Sequence, residues 1–173
     1  MKRLTREEKF MREALKSARR GFAEGEVPIG AVVVYDDKVV ARGYNRRTKW
    51  QLASAHAEML AIDKACKKFR SWRLPEGCQL YVTLEPCPMC MGACLNARVD
   101  KVYFGAYEQK GRSLTVELAN ANLLNHKTEV IGGVLEKECS GILTEFFSSM
   151  RKRQKEEKEK QKTENEKFPY EEI

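Results

Sequence analysis

The chain has 173 residues, of which 42% are hydrophobic and 33% charged, and its formal net charge is +7 at pH 7. This length suits one domain, and the absence of an apolar run of 18 residues or of an apolar leader excludes a membrane-spanning or secreted class, so we expect a cytoplasmic protein. A net charge of +6 precedes residue 151, which indicates a basic folded body able to hold phosphates or simply a soluble surface.

Periodicity and boundary residues predict alternating helices and strands. Thr5 and Glu8 form a capping-box pattern before the first helix, Asp36 and Asp37 suit a tight hairpin turn, and Ser54 is the expected cap of the second helix. In chain order we expect a helix at about 5–24, strands at 29–35 and 38–44, a helix at 55–68 and a strand at 78–84. A helix at 88–96, strands at 101–105 and 128–131, and a long helix from 134 onward follow. A hairpin followed by alternating strands and helices predicts a three-layer α/β/α sandwich with a mixed five-stranded sheet.

The C-terminal part combines an amphipathic helix with a charged tail. We expect residues 1–153 to form the domain and residues 154–173, rich in Lys and Glu, to form either a solvated continuation of the helix or a disordered tail. Residues 105–124 are expected to form a loop with one short helix at most. The apolar side chains expected on the buried face of the long helix are Leu135, Cys139, Ile142, Leu143, Phe146, Phe147 and Met150.

Two short motifs offer metal ligands. His56-Ala57-Glu58 is separated by 27 residues from Pro86-Cys87-Pro88-Met89-Cys90. One imidazole and two thiolates are a ligand set for zinc with an open fourth position, and the carboxylate of Glu58 is then free to move protons. Cys94 is a candidate fourth ligand that would close a structural zinc site, although a small buried apolar residue is the simpler interpretation.

The predicted elements place both half-sites at helix starts. A helix N-terminus favours the thiolate forms of Cys87 and Cys90, and residues three apart face the same side of a turn. The pattern H-x-E followed by P-C-x-x-C is the signature of zinc-dependent nucleobase deaminases. Glu58 is then the expected general acid and base, passing a proton from the attacking water to the ring nitrogen and to the departing amine. The backbone N–H of Cys87 is expected to stabilise the developing oxyanion.

Alternative interpretations of the same residues remain open. A C-x-x-C between a strand and a helix is also typical of thioredoxin-like redox sites, but that interpretation leaves His56 and Glu58 unexplained. Glu58 alone would be a favourable charge at a helix start. In the absence of secretion signals, we expect reduced thiols at the remaining cysteines, which are Cys66, Cys78, Cys94 and Cys139.

Residues 8–150 resemble the tRNA-specific adenosine deaminases of the cytidine deaminase superfamily. The segments that carry the resemblance are E-V-P-I-G-A-V-V-V at 26–34, G-Y-N at 43–45, H-A-E-M at 56–59, Y-V-T-L-E-P-C-P-M-C-M-G-A at 81–93, F-G-A at 104–106, L-N-H at 124–126 and F-F at 146–147 with a basic run after it. The resemblance implies a cytidine deaminase-like fold and hydrolysis of adenosine to inosine at the wobble position of a tRNA anticodon. It also implies a homodimer with one zinc per subunit, in which both subunits contribute to the site for the anticodon stem-loop.

The resemblance also implies further site residues. Asn45 would hydrogen-bond the flipped base, and the backbone near Ala31, Leu84 and Glu85 would line its pocket. On chemistry alone Asn45 is also a good turn residue, Leu84 is suited to a core, and the aromatic pair at 146–147 can pack as well as stack on bases. The candidate RNA contacts are Lys110, Phe146, Phe147, Arg151 and Arg153.

One stretch departs from the family pattern. After Phe104-Gly105-Ala106 the family has an aspartate, a lysine and a Gly-Ala-x-Gly-Ser segment, whereas residues 107–114 here read Y-E-Q-K-G-R-S-L. Glu108 takes the place of the aspartate and the loop is shorter, which leaves the nucleotide context open.

Two other functions compete with the tRNA reaction. One is deamination of a free base or nucleoside of the guanine or cytosine type on the same scaffold. The other is a non-catalytic, zinc-stabilised RNA-binding module, which has no use for the carboxylate of Glu58. For the expected dimer we predict an interface built on the apolar face of the helix that follows Cys87, which carries Met89, Met91, Cys94 and Leu95. The alternative is that these side chains pack only inside the subunit.

Overall fold

The structure, a computed structural model, describes residues 3–108, 115–121 and 125–167, with side chains to residue 163. Its elements in chain order are α1 (Arg6–Ala23), β1 (Gly30–Tyr35), β2 (Lys38–Tyr44), α2 (Arg47–Trp50), α3 (Ala57–Phe69), β3 (Gln79–Leu84), α4 (Pro88–Asn96), β4 (Lys101–Ala106), α5 (Thr115–Asn120), β5 (Glu129–Ile131) and α6 (Glu136–Lys167). Every predicted helix and strand is present, and no strand end differs from the predicted one by more than one residue. The short helix α2 was not predicted, because four residues carry no periodic signal.

The N-terminal helix and hairpin form as predicted. The Thr5 hydroxyl accepts a hydrogen bond from the Glu8 N–H at 3.1 Å, and the Glu8 carboxylate accepts one from the Thr5 N–H at 2.9 Å, which completes the capping box. Asp36 and Asp37 have φ of 48° and 53°. Two successive left-handed residues match the twist of a two-residue hairpin, so the turn aligns β1 with β2.

The described strands form a five-stranded mixed sheet in the order β2-β1-β3-β4-β5. β1 pairs antiparallel with β2 and β3, whereas β3, β4 and β5 run parallel. Along β1, Ala31 and Val33 belong to the core shared with α3 and α4, and Val32 and Val34 to the core shared with α1 and α6. Alternate residues of a strand face opposite sides, so helices cover both faces and the predicted three-layer α/β/α sandwich is confirmed.

The start of α3 corrects one prediction. Ser54 does not cap this helix; His56 is the N-cap residue, with an extended backbone (φ −80°, ψ 155°), and the helix begins at Ala57. The Arg46 N–H donates to the Ala55 carbonyl at 2.9 Å, which closes the loop between β2 and α3 and keeps Ala55 outside the helix. A long-range backbone hydrogen bond therefore overrides the local capping signal of Ser54.

The long helix α6 differs from its prediction at two points. It begins two residues later than expected, because Val134 donates its N–H to the Phe104 carbonyl at 3.1 Å and Leu135 takes a left-handed backbone (φ 52°). Phe147, predicted on the buried face, is 43% exposed, whereas Phe146 is 5% exposed. The predicted tail continues α6 as helix to Lys167, exposed wherever its side chains are described. Within the described residues no helix is long and apolar enough to cross a bilayer.

Candidate active site

The metal-ligand candidates meet at one edge of the sheet. The parallel strands β3 and β4 end there, and β1, which is antiparallel to β3, begins there. His56 is the N-cap of α3 and Cys87 the N-cap of α4, and Pro88 takes the first position of α4, where a missing N–H costs nothing. Two helix N-termini therefore converge, and both favour negatively charged ligands.

His56, Cys87 and Cys90 form a compact cluster. The Nδ1 atom of His56 lies 3.7 Å from the Cys87 Sγ and 3.5 Å from the Cys90 Sγ. Zn–N and Zn–S bonds of usual length at a tetrahedral angle separate N and S atoms by about 3.6 Å. The donor set and its spacing therefore fit tetrahedral zinc without rearrangement.

The two cysteines of the cluster have thiol pKa values shifted in opposite directions. The pKa of Cys87 is lowered to about 4, first by a hydrogen bond from the Cys90 thiol and then by His56. The pKa of His56 is raised, mainly by its hydrogen bond with Cys87. Cys90 is the donor in this arrangement, and its own pKa is raised by Cys87 and by burial. Zinc binds thiolates, so Cys87 is ready to bind while Cys90 must first release its proton.

Glu58 is held beside these ligands without being one of them. It lies in the first turn of α3, is 4% exposed and hydrogen-bonds to the side chain of Cys90. Burial raises the pKa of this carboxyl group, and the negative charge on Cys87 raises it further. A carboxyl group whose pKa moves towards neutrality can both accept and donate a proton at physiological pH.

Cys94 does not join the cluster. Among the described residues, the group of possible ligand atoms lying within 4.8 Å of one another consists of His56, Cys87 and Cys90. Cys94 is fully buried in the core beneath α4, and burial raises the pKa of its thiol. Three protein ligands leave one tetrahedral position open, which is the arrangement of a catalytic rather than a structural zinc.

The pocket residues implied by resemblance lie around the same sheet edge. Asn45 follows β2, is 4% exposed, and donates its N–H to the Ile29 carbonyl at 3.0 Å. Ala31 is fully buried and pairs with Val82 of β3. Leu84, the last residue of β3, is half-buried and packs against the core shared with α1 and α6.

Glu85 completes this edge on the side of β4. It is 8% exposed, and its N–H donates to the Ala106 carbonyl at 2.9 Å. Its carboxylate accepts a hydrogen bond from the N–H of Glu108 at 3.1 Å. Glu108, which takes the place of the family's aspartate, is therefore joined by its backbone N–H to Glu85, two residues before Cys87.

Glu26 is a buried residue at this site that sequence reasoning did not single out. It is 1% exposed and accepts a hydrogen bond from the side-chain amide of Asn45 at 3.2 Å. Its place at the start of the E-V-P-I-G-A-V-V-V segment marks the residue only weakly, because an acidic residue between a helix and a strand is usually exposed.

The RNA-contact candidates that the structure describes all lie on α6. Phe146 packs edge-to-face on Phe22 of α1, with ring centroids 5.5 Å apart, whereas Phe147 is exposed. Arg151 and Arg153 are exposed on α6. Lys110 lies outside the described residues.

Comparison with known proteins places the fold and the cluster in one family. Residues 4–106 match the cytidine and deoxycytidylate deaminase zinc-binding region. The chain is 50% identical over 154 residues to the tRNA-specific adenosine deaminase of Bacillus subtilis, covering 88% of this chain and 95% of that protein. The zinc-binding deaminase region and the identity to a tRNA-specific adenosine deaminase agree with the family that the resemblance predicted.

Solved structures agree with this relationship. A structure from a study of A-to-I editing by tRNA:A34 deaminases at the wobble position is 40% identical, with a TM-score of 0.71, over 78% of this chain and 98% of that one. A guanine deaminase from Nitrosomonas europaea is 25% identical, with a TM-score of 0.69, over 80% and 83%. With half of its aligned residues identical to a relative that it covers almost completely, the chain belongs to the tRNA-specific adenosine deaminases, within the family of the cytidine and deoxycytidylate deaminase zinc-binding region.

Proposed function

We propose that this protein is a zinc-dependent hydrolase that converts adenosine to inosine at the wobble position of a tRNA anticodon. The observation that carries the proposal is the cluster of His56, Cys87 and Cys90 with the buried carboxyl group of Glu58 beside it. It occurs in a chain that is 50% identical to a tRNA-specific adenosine deaminase. Because the substrate is tRNA, we also propose a cytoplasmic location.

The site divides the chemistry between a metal and one carboxyl group. His56, Cys87 and Cys90 would hold the zinc, which when bound would supply a nucleophilic water at neutral pH by lowering the pKa of water to about 7. Glu58 accepts one proton from the attacking water and passes it to the ring nitrogen next to the reacting carbon. It then accepts the second proton, from the hydroxyl formed on that carbon, and passes it to the amine, which leaves as ammonia while the carbonyl forms. The net reaction consumes one water and exchanges the exocyclic amine for a carbonyl oxygen. We propose that the backbone N–H of Cys87, at the start of α4, stabilises charge that develops on the oxygen.

We propose that the edge of the sheet beside Cys87 binds the substrate base after it has flipped out of the RNA stack. We propose that the Asn45 amide hydrogen-bonds the flipped base and that the backbone near Ala31, Leu84 and Glu85 lines the pocket. Support comes from the burial of Asn45 and Glu85 at the sheet edge where Cys87 also lies. A target base must leave the RNA stack to reach such a pocket.

The direct test is to incubate the purified zinc enzyme with a panel of tRNAs and to sequence them for A-to-I change. We expect inosine at the wobble position of a tRNA that carries A there. If no tRNA in the panel gains inosine, the proposed reaction is wrong.

A free-base deaminase is the second candidate, favoured by the similarity to the guanine deaminase of Nitrosomonas europaea. Its identity to this chain, 25%, is half that of the Bacillus subtilis tRNA enzyme. Binding of an anticodon stem-loop that weakens with added salt would favour the tRNA reaction, since phosphate contacts release counterions. Ammonia release from free guanine or cytosine without RNA binding would favour the alternative.

We propose that RNA binds the folded body and the basic residues 151–153, and does not bind the Lys- and Glu-rich tail at 154–173. Residues 154–173 carry a net charge of −2, whereas Arg151-Lys152-Arg153 adds three positive charges. The exposed Phe147 lies one turn before Arg151 and can offer a stacking surface to a base. Lys110 stays a candidate contact through its position in the loop that departs from the family pattern.

Truncation after Gln154 should leave tRNA affinity and its salt dependence nearly unchanged. Arg151→Ala with Arg153→Ala should weaken binding and reduce the log–log salt slope by about 0.7 to 0.9 for each phosphate that is no longer neutralised. Fluorescence anisotropy with an anticodon stem-loop over a salt series measures both quantities. Loss of binding on truncation, with the double variant unaffected, would instead make the tail the RNA-binding segment.

We propose a homodimer in which α4 and α5 form the interface. The interface set predicted from the sequence is wrong for three of its members, because Met91, Cys94 and Leu95 are buried in the subunit's own core. Met89 of α4 and Val116 of the adjoining α5 are the exposed apolar residues in this described region, at 41% and 51% exposure. Sedimentation should give a dimer at micromolar concentration, and Met89→Glu should shift it towards monomer. A monomeric parent protein would contradict the proposal.

A further inference from the structure

A buried carboxylate with no part in the proton transfers lies behind Asn45. Glu26, in the connection between α1 and β1, is 1% exposed. Its Oε2 accepts hydrogen bonds from the Asn45 Nδ2 at 3.2 Å and from the Thr48 N–H at 3.3 Å. Its Oε1 accepts one from the Lys49 N–H at 2.6 Å. Burial of a carboxylate is costly unless donors surround it, and these three donors supply that compensation.

Glu26 sets the orientation of the Asn45 amide. A carboxylate accepts hydrogen bonds and cannot donate them, so the Asn45 Nδ2 must face it. A flipped amide would place the Asn45 Oδ1 against the carboxylate, where two acceptors repel. The oxygen and the second N–H of the Asn45 amide are therefore held in one fixed order.

The carboxylate of Glu26 also anchors the loop that connects Asn45 to His56. Residues 46–55 lead from Asn45 to His56, and the hydrogen bond from the Arg46 N–H to the Ala55 carbonyl closes this loop at its base. Thr48 and Lys49 lie in the first turn of α2 within the loop, and both donate their N–H groups to Glu26. One side chain thus holds Asn45 and the segment that leads to the first zinc ligand.

We propose that Glu26 is a positioning residue for substrate recognition, which locks the Asn45 amide in the single orientation that reads the flipped base. The proposal rests on the proposed function for its substrate and on Asn45 as the residue that contacts the base. It assigns to Glu26 a role that is expressed through Asn45 and not through contact with the reacting atoms.

The proposal predicts that Glu26→Gln lowers kcat/KM in the parent protein but raises the melting temperature in an Asn45→Asp background. Glu26→Gln in the parent replaces one of the two carboxylate acceptors with an NH2 donor, so the Asn45 amide can flip. The variant should lower kcat/KM by about 10- to 100-fold, the range known for hydrogen-bond partners that orient metal ligands. Asn45→Asp alone places two carboxylates in contact and should lower the melting temperature. Combining Glu26→Gln with Asn45→Asp restores a donor–acceptor pair, so the double variant should melt above Asn45→Asp.

A double-mutant cycle separates this role from general destabilisation. In an Asn45→Ala background, Glu26→Gln should lower kcat/KM by much less than in the parent, because the amide that Glu26 orients is absent and only its hydrogen bonds to the α2 backbone remain to be weakened. Glu13→Gln is the matched control, since Glu13 lies on α1 away from the cluster and accepts hydrogen bonds from Lys16 and Arg42. It should leave kcat/KM for tRNA at the parent value.

Each failure has a distinct meaning. Equal reductions from Glu26→Gln in the parent and in Asn45→Ala, or no recovery of melting temperature in the Glu26→Gln, Asn45→Asp variant, would overturn the positioning role. If Glu26→Gln does not fold, Asn45→Asp must still melt below Asn45→Ala, and equal melting temperatures would contradict the pairing of Glu26 with Asn45. A parent enzyme without tRNA deamination would sink the proposed function instead, while the melting temperatures would still report whether Glu26 and Asn45 are coupled.

Discussion

Replacement of Glu58 by Gln is expected to remove nearly all turnover while the fold and the zinc are kept. Gln has the shape of Glu but cannot shuttle protons, and Glu58 is not in the metal-ligand group. General acid–base catalysis contributes about 10²- to 10⁴-fold, and a residue that performs several transfers should lie at or above the upper end. Single-turnover formation of inosine in tRNA, together with the zinc content and the melting temperature of the variant, measures the effect.

Asp63→Asn is the matched control for this variant. Asp63 lies on the same helix, α3, but is exposed, so its substitution should leave the rate unchanged. Activity of Glu58→Gln within about tenfold of the parent would refute the proton-transfer role. Loss of zinc in Glu58→Gln would show that the carboxylate supports the metal and that the reduced rate has another origin.

Removal of a zinc ligand is expected to abolish both metal binding and activity. Cys87→Ala removes the thiol whose pKa is lowered to about 4, and two remaining ligands cannot hold the metal tightly. The parent should contain about one zinc per chain, because the three side chains form a single tetrahedral site with one open position. Elemental analysis after dialysis against a chelator, combined with the tRNA assay, measures both effects.

Cys94→Ala provides the comparison for Cys87→Ala. Cys94 lies on the same helix, α4, and is fully buried, but it is outside the ligand group. Its removal should cost some packing and leave the zinc content at the parent level. Zinc loss in Cys94→Ala as severe as in Cys87→Ala would indicate a closed, structural site and would remove the basis for catalysis at the metal.

The ligands could be predicted from the sequence because their geometry is local. Cys87 and Cys90 are three residues apart at a helix start that Pro88 marks, so their common direction follows from helical geometry alone. His56 with Glu58 forms the second short motif, and the two motifs together indicate one known chemistry. The fold class followed for a similar reason, since each strand and each long helix carries its own period of apolar residues.

Other features depended on contacts between distant parts of the chain. The first turn of α3 begins at Ala57 because the Arg46 N–H pairs with the Ala55 carbonyl, and the local signal at Ser54 cannot report that pairing. The face of α6 that is buried depends on its crossing with α1, where Phe146 meets Phe22 and Phe147 is left exposed. A helical period identifies an apolar stripe but does not fix its edges.

The amino-acid sequence by itself determined the secondary-structure order and the sheet class, and it identified the candidate zinc ligands and the candidate acid–base residue, because each is carried by a local pattern or a short motif. Only the tertiary structure decided that Glu26 is buried and that it faces Asn45 and the first turn of α2. Nineteen positions separate the two side chains along the chain. Their contact depends on how the end of α1 packs beside the end of β2, which no local pattern of residues specifies.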